Sequence, residues 1–219
     1  MVEIVIVPSP DLLATALSDQ DIANGTIGLE HWINGVIAPA YSQGKYNVRA
    51  IGRGQPVPPG TDHRWLIWLH SNSDQPGAAG YHTADNGAPA AKIFVQDILA
   101  AGMAWTSVVS HEIAEIMVNR WCNAAVLGPA GFYWQEACDP VEAFGQAFGY
   151  DNGARSVEVS DFVLPSYWRV GSQGPWSAFH NAPGPLQPAA QGRQEVFGIS
   201  TNTVQQGAKI SAIKAPPLS

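Results

Sequence analysis

Between Trp105 and Trp121 the chain carries Ser110-His111-Glu112-Ile113-Ala114-Glu115, a histidine and two glutamates set in otherwise apolar sequence. On an α-helix, side chains four positions apart lie about 40° apart around the axis and one turn along it. His111 and Glu115 therefore project from one face and can share one ion. Glu112 stands about 60° round from Glu115, close enough to border that ion without ligating it. The chemistry on offer is hydrolysis. Two ligands hold a divalent cation, and the neighbouring carboxylate acts as general base toward water that the cation activates. The plain alternatives are a solvated helix carboxylate for Glu112 and a helix N-terminal cap for the cluster, but the apolar pattern starts earlier, at Trp105.

Such a pair works only if the helix is fixed. Trp105, Val109, Ile113 and Ile116 give the helix an apolar flank that can pin it into a core, which makes the ligands a rigid set. Structural zinc sites close with four protein ligands, whereas catalytic sites keep a position open. The segment Gln135-Glu136-Ala137-Cys138-Asp139-Pro140-Val141-Glu142 offers further acids: Glu136, Asp139 and Glu142. Asp139 has a second use, as hydrogen-bond partner to the far nitrogen of His111. His82, in Gly80-Tyr81-His82, is read as a ligand, a transition-state donor or a hydrogen-bonded loop histidine, and Tyr81 as a weaker candidate for an oxyanion donor. Asp161 reads as a capping or turn residue. His31, His63, His70 and His180 receive no role.

The helix resembles that of the zincin metallopeptidases, HExxH, with Glu115 in place of the second histidine. The resemblance implies a zincin-like mixed sheet packed on the active-site helix, a zinc ion, Glu112 as catalytic base and a peptide or protein substrate. A carboxylate ligates zinc at about 2.0–2.2 Å, so the exchange is chemically tolerable. It neutralises more of the ion's charge, which leaves the bound water less acidic and admits manganese or iron as alternatives. Glu136 follows Glu115 at the separation at which one zincin subgroup carries a glutamate as third ligand. On that ground Glu136 ranks ahead of Asp139, and Glu142 comes third. A wider resemblance in motif order spans Gly80 to Pro165: Gly80-Tyr81-His82, the helix motif, Glu136-x-Cys138-Asp139, and Val159-Ser160-Asp161-Phe162-Val163-Leu164-Pro165. It is to a group of uncharacterised bacterial and phage proteins described as metallopeptidases.

The rest of the chain bounds these readings. Its 219 residues suit one ordinary domain; residues 1–170 are expected to form the metal-binding domain, with 171–219 an irregular segment packed on it. The chain is 46% hydrophobic and only 13% charged, which supports a core. A net charge of -7 argues against nucleic acid as partner. No apolar run approaches a membrane span, and the start MVEIVIVPSP reads as a strand rather than a signal peptide. The expectation is a cytoplasmic protein, or one exported by a non-classical or phage-associated route, with oligomeric state open. Cys122 and Cys138 are expected as buried thiols, a single bridge being the alternative, and without a CxxC no all-cysteine zinc site is available.

Element signals give an α+β mixture. Strands are expected at Val2–Val7, Tyr46–Ile51, Arg64–His70, Lys92–Val95, Phe132–Glu136 and Val157–Leu164, with weak ones near Glu195–Ile199 and Ala208–Ile213. Helices are expected over Asp11–Ala23, Gly25–Ala40 and Met103–Trp121, and a long loop over Ser71–Pro89. The substrate peptide is expected along an edge strand near Lys92–Val95. The function that follows is a zinc-dependent metallopeptidase. Its rivals are a metal-stabilised binding or structural protein, an amide or ester hydrolase acting on small molecules, and a degenerate zincin without catalysis.

Overall fold

The structure, a computed structural model, describes residues 1–85, 87–142 and 145–197. β1 (Val2–Pro8) opens the chain, and α1 (Asp19–Trp32) follows; its axis runs on through a π-helical turn at Ile33–Ile37 into α2 (Ala38–Ala40). Next come β2 (Tyr46–Ala50), β3 (Arg64–His70), the hairpin β4 (Gly80–Asp85) and β5 (Ala88–Phe94), α3 (Val95–Ala100) and α4 (Trp105–Val118). The second half holds β6 (Ala125–Gly128), β7 (Gly131–Trp134), a 3-10 turn at Asp139–Val141, β8 (Gly145–Tyr150), β9 (Arg155–Ser160) and β10 (Val196–Phe197). The architecture is mixed α and β, with several sheets and a few helices.

The main sheet has the order β2-β1-β3-β5-β4. β1 pairs parallel with β2 and β3, and β3 pairs parallel with β5. Only β4 runs antiparallel, on β5, so β4 forms one margin of the sheet. Parallel strands are covered on both faces and read as continuous apolar runs, as Val2 to Val7 does. Their side chains alternate between two clusters. Ile4 and Ile6 join the main core with Leu29, Trp32, Val109 and Ile113, while Val5, Val7 and Leu66 form a small cluster on the opposite face.

Three expectations about elements need correction. The helix expected from Asp11 begins at Asp19, because Ser18 and Asp21 form a reciprocal capping box there. The expected loop Ser71–Pro89 is half strand: Gly80–Asp85 is β4, and β5 starts at Ala88 rather than Lys92. The Gly, Ala and Asp content of the segment concealed a hairpin whose stability comes from pairing on β5 and packing on α4. β5 lies inside the sheet, so Lys92–Val95 is not an edge strand; among the described residues the margins of this sheet are β2 and β4. The weak strand near Glu195–Ile199 is described only as Val196–Phe197, which pairs with β7; Ala208–Ile213 lies outside the described residues.

α4 is held on every side. It starts after Gly102, whose φ of +72° ends the preceding turn, and it ends at Asn119. Thr106 donates to Glu158 O at 2.8 Å, and the Ser110 hydroxyl accepts from Ser160 N at 2.8 Å, which ties the helix to β9. On the α1 side, a Cβ on Gly25 would lie 2.3 Å from Trp105 Cζ2, so the absence of a side chain there lets the helices close up. Cys122 is half-buried, Cys138 is buried, and both are free thiols.

Candidate metal centre

The helical spacing of the motif holds: His111, Glu112 and Glu115 all lie on α4, with Glu112 and Glu115 buried. A solvated helix carboxylate is therefore not what Glu112 is. Nor is the motif a cap, since α4 begins six residues before His111, at Trp105. His111 Nε2 lies 3.2 Å from Glu115 Oε1 and 3.6 Å from Asp139 Oδ1. His82 comes in from β4. Its Nδ1 lies 3.3 Å from Glu112 Oε2 and 3.2 Å from Glu115 Oε2, and its Nε2 lies 3.5 Å from Glu136 Oε2.

Among the described residues two groups that could hold an ion result, each with its donor atoms within 4.8 Å of one another: His111, Glu115 and Asp139, and His82, Glu115 and Glu136. Asp139, rather than Glu136, joins Glu115 at His111. Glu142, the third acid considered, is held by the Arg193 guanidinium, with Nη2 donating to its Oε1 at 2.6 Å. Tyr81 does not face the cluster. Its hydroxyl donates to Asp74 Oδ2 at 3.0 Å, because neighbouring residues on a strand point to opposite faces. Asp161 is buried and structural, accepting from Phe162 N at 2.8 Å, Phe179 N at 2.9 Å and Asn181 Nδ2 at 2.9 Å.

Each part of the centre has a local reason for its place. Gly80 lets β4 approach α4. A Cβ there would sit 2.8 Å from Val108 Cγ1 and 3.1 Å from Glu112 Oε1. His82, two residues on, then reaches over the helix. Asp139 rides on the 3-10 turn, which the segment beyond Gly171 clamps. Arg193 N donates to Asp139 O at 2.7 Å, Ala189 N donates to Pro140 O at 2.8 Å, and a Cβ on Gly192 would lie 2.0 Å from Pro140 O. Asn119 escaped the sequence reading. It is buried, its Nδ2 donates to Glu136 Oε1 at 3.2 Å, and its Oδ1 accepts from Asn123 N and Ala124 N, both at 2.8 Å. Its place at the C-terminal end of the helix that carries His111 and Glu115 is the signal that could have found it.

Burial opposes charge on both imidazoles, yet the surrounding acids win. The Glu112 and Glu115 carboxylates, with the Cys122 thiol beside them, hold the His82 pKa well above its ordinary value. Glu115 with Asp139 does the same for His111. Burial also works against ionised Glu115, but His111 and His82 on its two sides keep its pKa well below the usual carboxylate range. Glu112 is raised by burial, with His82 opposing. Glu136 is raised well above the ordinary range by burial and by Glu115.

These residues suit a cation. Acids outnumber imidazoles, and His82 Nε2 and Glu136 Oε2 are both buried without a hydrogen-bond partner among the described residues. Around a tetrahedral ion with bonds of about 2.1 Å, neighbouring donor atoms stand about 3.4 Å apart. The separations of 3.2 and 3.6 Å at His111 are of that size. What solvent access the cluster has is at His111, Asp139 and Glu136, whose side chains are 15–16% exposed. A separate cleft of about 360 Å³, lined by Tyr41, Met117, Gln135 and Trp168 among others, contains none of these histidines or acids.

Comparison of the chain with protein-family models, curated proteins and solved structures gives no match, so the functional reading rests on this geometry. No helix among the described residues is long and apolar enough to cross a membrane.

Proposed function

We propose that this chain is a metal-dependent hydrolase of zincin-like design that cleaves a peptide bond, with zinc as the preferred ion and manganese or iron as alternatives. The observation that carries the reading is the His111, Glu115 and Asp139 group with Glu112 on the next face of the same buried helix. Three protein ligands leave a tetrahedral ion one open position, which is the arrangement of catalytic rather than structural zinc. That favours catalysis over a metal-stabilised binding protein.

An ion bound there supplies a Lewis acid that polarises a carbonyl and acidifies water. The chain's own residues do the rest. Glu112 takes the proton from the attacking water and later passes it to the leaving amine. Its burial raises its proton affinity toward the range a general base needs. His82 Nδ1, 3.3 Å from Glu112 Oε2, holds that carboxylate in place. β4 pairs with β5 on one side, and among the described residues no strand pairs with its other edge, on which an extended peptide can add as a further strand. That edge favours a peptide over a small amide or ester.

The test is cleavage of a peptide library by metal-loaded wild type and by Glu112→Gln. We expect Glu112→Gln to keep its ion and to lose about 10²–10⁴-fold in rate. An active, metal-loaded Glu112→Gln protein would sink the mechanism. Turnover of small esters or amides with intact peptides would move the assignment to the narrower hydrolase class.

A further inference from the structure

His82 lies on both sides of a contradiction. Its Nδ1 faces two carboxylate oxygens, of Glu112 and Glu115, at 3.3 and 3.2 Å. Those oxygens are acceptors, so Nδ1 carries the proton, as it does in histidines that use the other nitrogen for a metal. In the neutral ring, Nε2 is then a lone pair. It faces Glu136 Oε2, a second acceptor, at 3.5 Å. Among the described residues neither atom has a hydrogen-bond partner, and the His82 side chain is only 8% exposed. Two buried acceptors face to face need a cation between them, a proton or a metal.

The spacing suits a metal. A separation of 3.5 Å is again that of neighbouring donors around a tetrahedral ion. Glu115 has a donor atom within 4.8 Å of donors from both His82 and Glu136. Its two oxygens are divided: Oε1 faces His111 and Oε2 faces His82, each at 3.2 Å. One carboxylate thus looks toward two ligand groups at once. Asn119 fixes the other oxygen of Glu136, which leaves Oε2 aimed at His82.

We propose that the centre has two metal positions: a second divalent ion held by His82 Nε2 and Glu136, with Glu115 bridging it to the ion at His111 and Asp139. This rests on the metal-dependent reading above and deepens it. In paired sites the ions stand roughly 3.5–4 Å apart and clamp both the attacking and the leaving atoms of a displacement. Here Glu112 stands against the shared carboxylate, next to both positions.

The experiment is metal stoichiometry on the full chain, by elemental analysis after saturation with zinc and dialysis, for wild type, His82→Ala, Glu136→Gln and His111→Ala. Circular dichroism verifies that each variant is folded, and Glu136→Gln, the milder change, stands in if His82→Ala is not. We expect two equivalents in wild type and one in His82→Ala and in Glu136→Gln. With manganese, we expect an exchange-coupled pair signal in electron paramagnetic resonance, absent from both variants. One equivalent in wild type, kept in His82→Ala and lost in His111→Ala, would overturn the second position and leave the proposed function standing. Two equivalents that give only isolated manganese signals would overturn the bridge. No ion in any protein would overturn both readings.

Discussion

On β1 the carboxylate of Glu3 accepts from Arg49 Nε at 2.8 Å and from Arg64 Nε, one partly exposed acid between two guanidinium groups. Under β4 the side chains of Glu112, Glu115, Glu136 and Asp139 gather around His82 and His111, and among the described residues the one Arg or Lys within 4 Å of these four acids is Arg193, 3.6 Å from Asp139 and shared with Glu142. The first group is balanced by charges that are permanent in proteins. The second has acid in excess and draws its balance from solution, as protons on the imidazoles or as bound cations. A buried acid without a fixed counter-charge lowers stability, so the two regions should respond in opposite ways to loss of an acid.

The contrast can be broken most forcefully by removing metal. A ligand present at 100–1,000 times its Kd stabilises the folded state by about 3–4 kcal/mol. Chelation is therefore expected to lower the thermal midpoint of wild type markedly and to leave that of a His82→Ala/His111→Ala double variant nearly unchanged. Equal midpoints for wild type with and without chelator would mean that the acids under β4 are balanced by protons alone.

Next in size is Gly80→Ala. The new methyl group would meet Val108 and Glu112, so β4 must move off α4 at a cost of about 1–3 kcal/mol. His82 moves with the strand, and metal affinity should fall in the same variant, as read by competition with a chromophoric chelator. Unchanged affinity would show that the strand does not position the centre.

A paired substitution sharpens the comparison directly. In metal-free protein, Glu136→Met should raise stability by about 1 kcal/mol, since an unmatched buried acid is replaced by apolar volume. Glu3→Met should lower it by about 0.5–1 kcal/mol, since two arginines lose their partner. Urea denaturation of both variants reads the difference, and a loss in both would erase the distinction between the two regions.

The smallest effect is that of acid on Glu3. Hydrogen bonds from Arg64 and then Arg49 hold its pKa below the ordinary 4.5. A depressed carboxylate stabilises the fold fully above its unfolded value, and that share is lost as pH falls below 4.5 through the lowered value. The share is a few tenths of a kcal/mol. Wild type and Glu3→Gln should therefore differ in stability at neutral pH and converge in acid.

Much of the centre was legible because its first part is local. The ligand helix is a matter of a 3.6-residue period, and the period placed His111 and Glu115 together and Glu112 beside them. β3 was legible too, as the apolar run Arg64–His70 between loop signals. β4 was not, because Gly80 and Ala84 carry no strand propensity and the hairpin is stabilised by its neighbours. The ranking of Glu136 over Asp139 came from chain separation, which says little about direction. A turn clamped by Arg193 aims Asp139 at His111, and Asn119 aims Glu136 at His82.

By itself the sequence determined that one helix carries a histidine and two glutamates in a geometry that can hold an ion, and that apolar strands and flanks bury it. Those are consequences of periodicity over a few residues, where covalent geometry dictates which side chains meet. Tertiary structure alone decided which distant residues join them. His82 arrives through the register of an antiparallel edge strand, Asp139 and Glu136 through a loop fixed by segments far along the chain. Such meetings depend on sheet order and on packing against α4, and neither is encoded in any short window of residues.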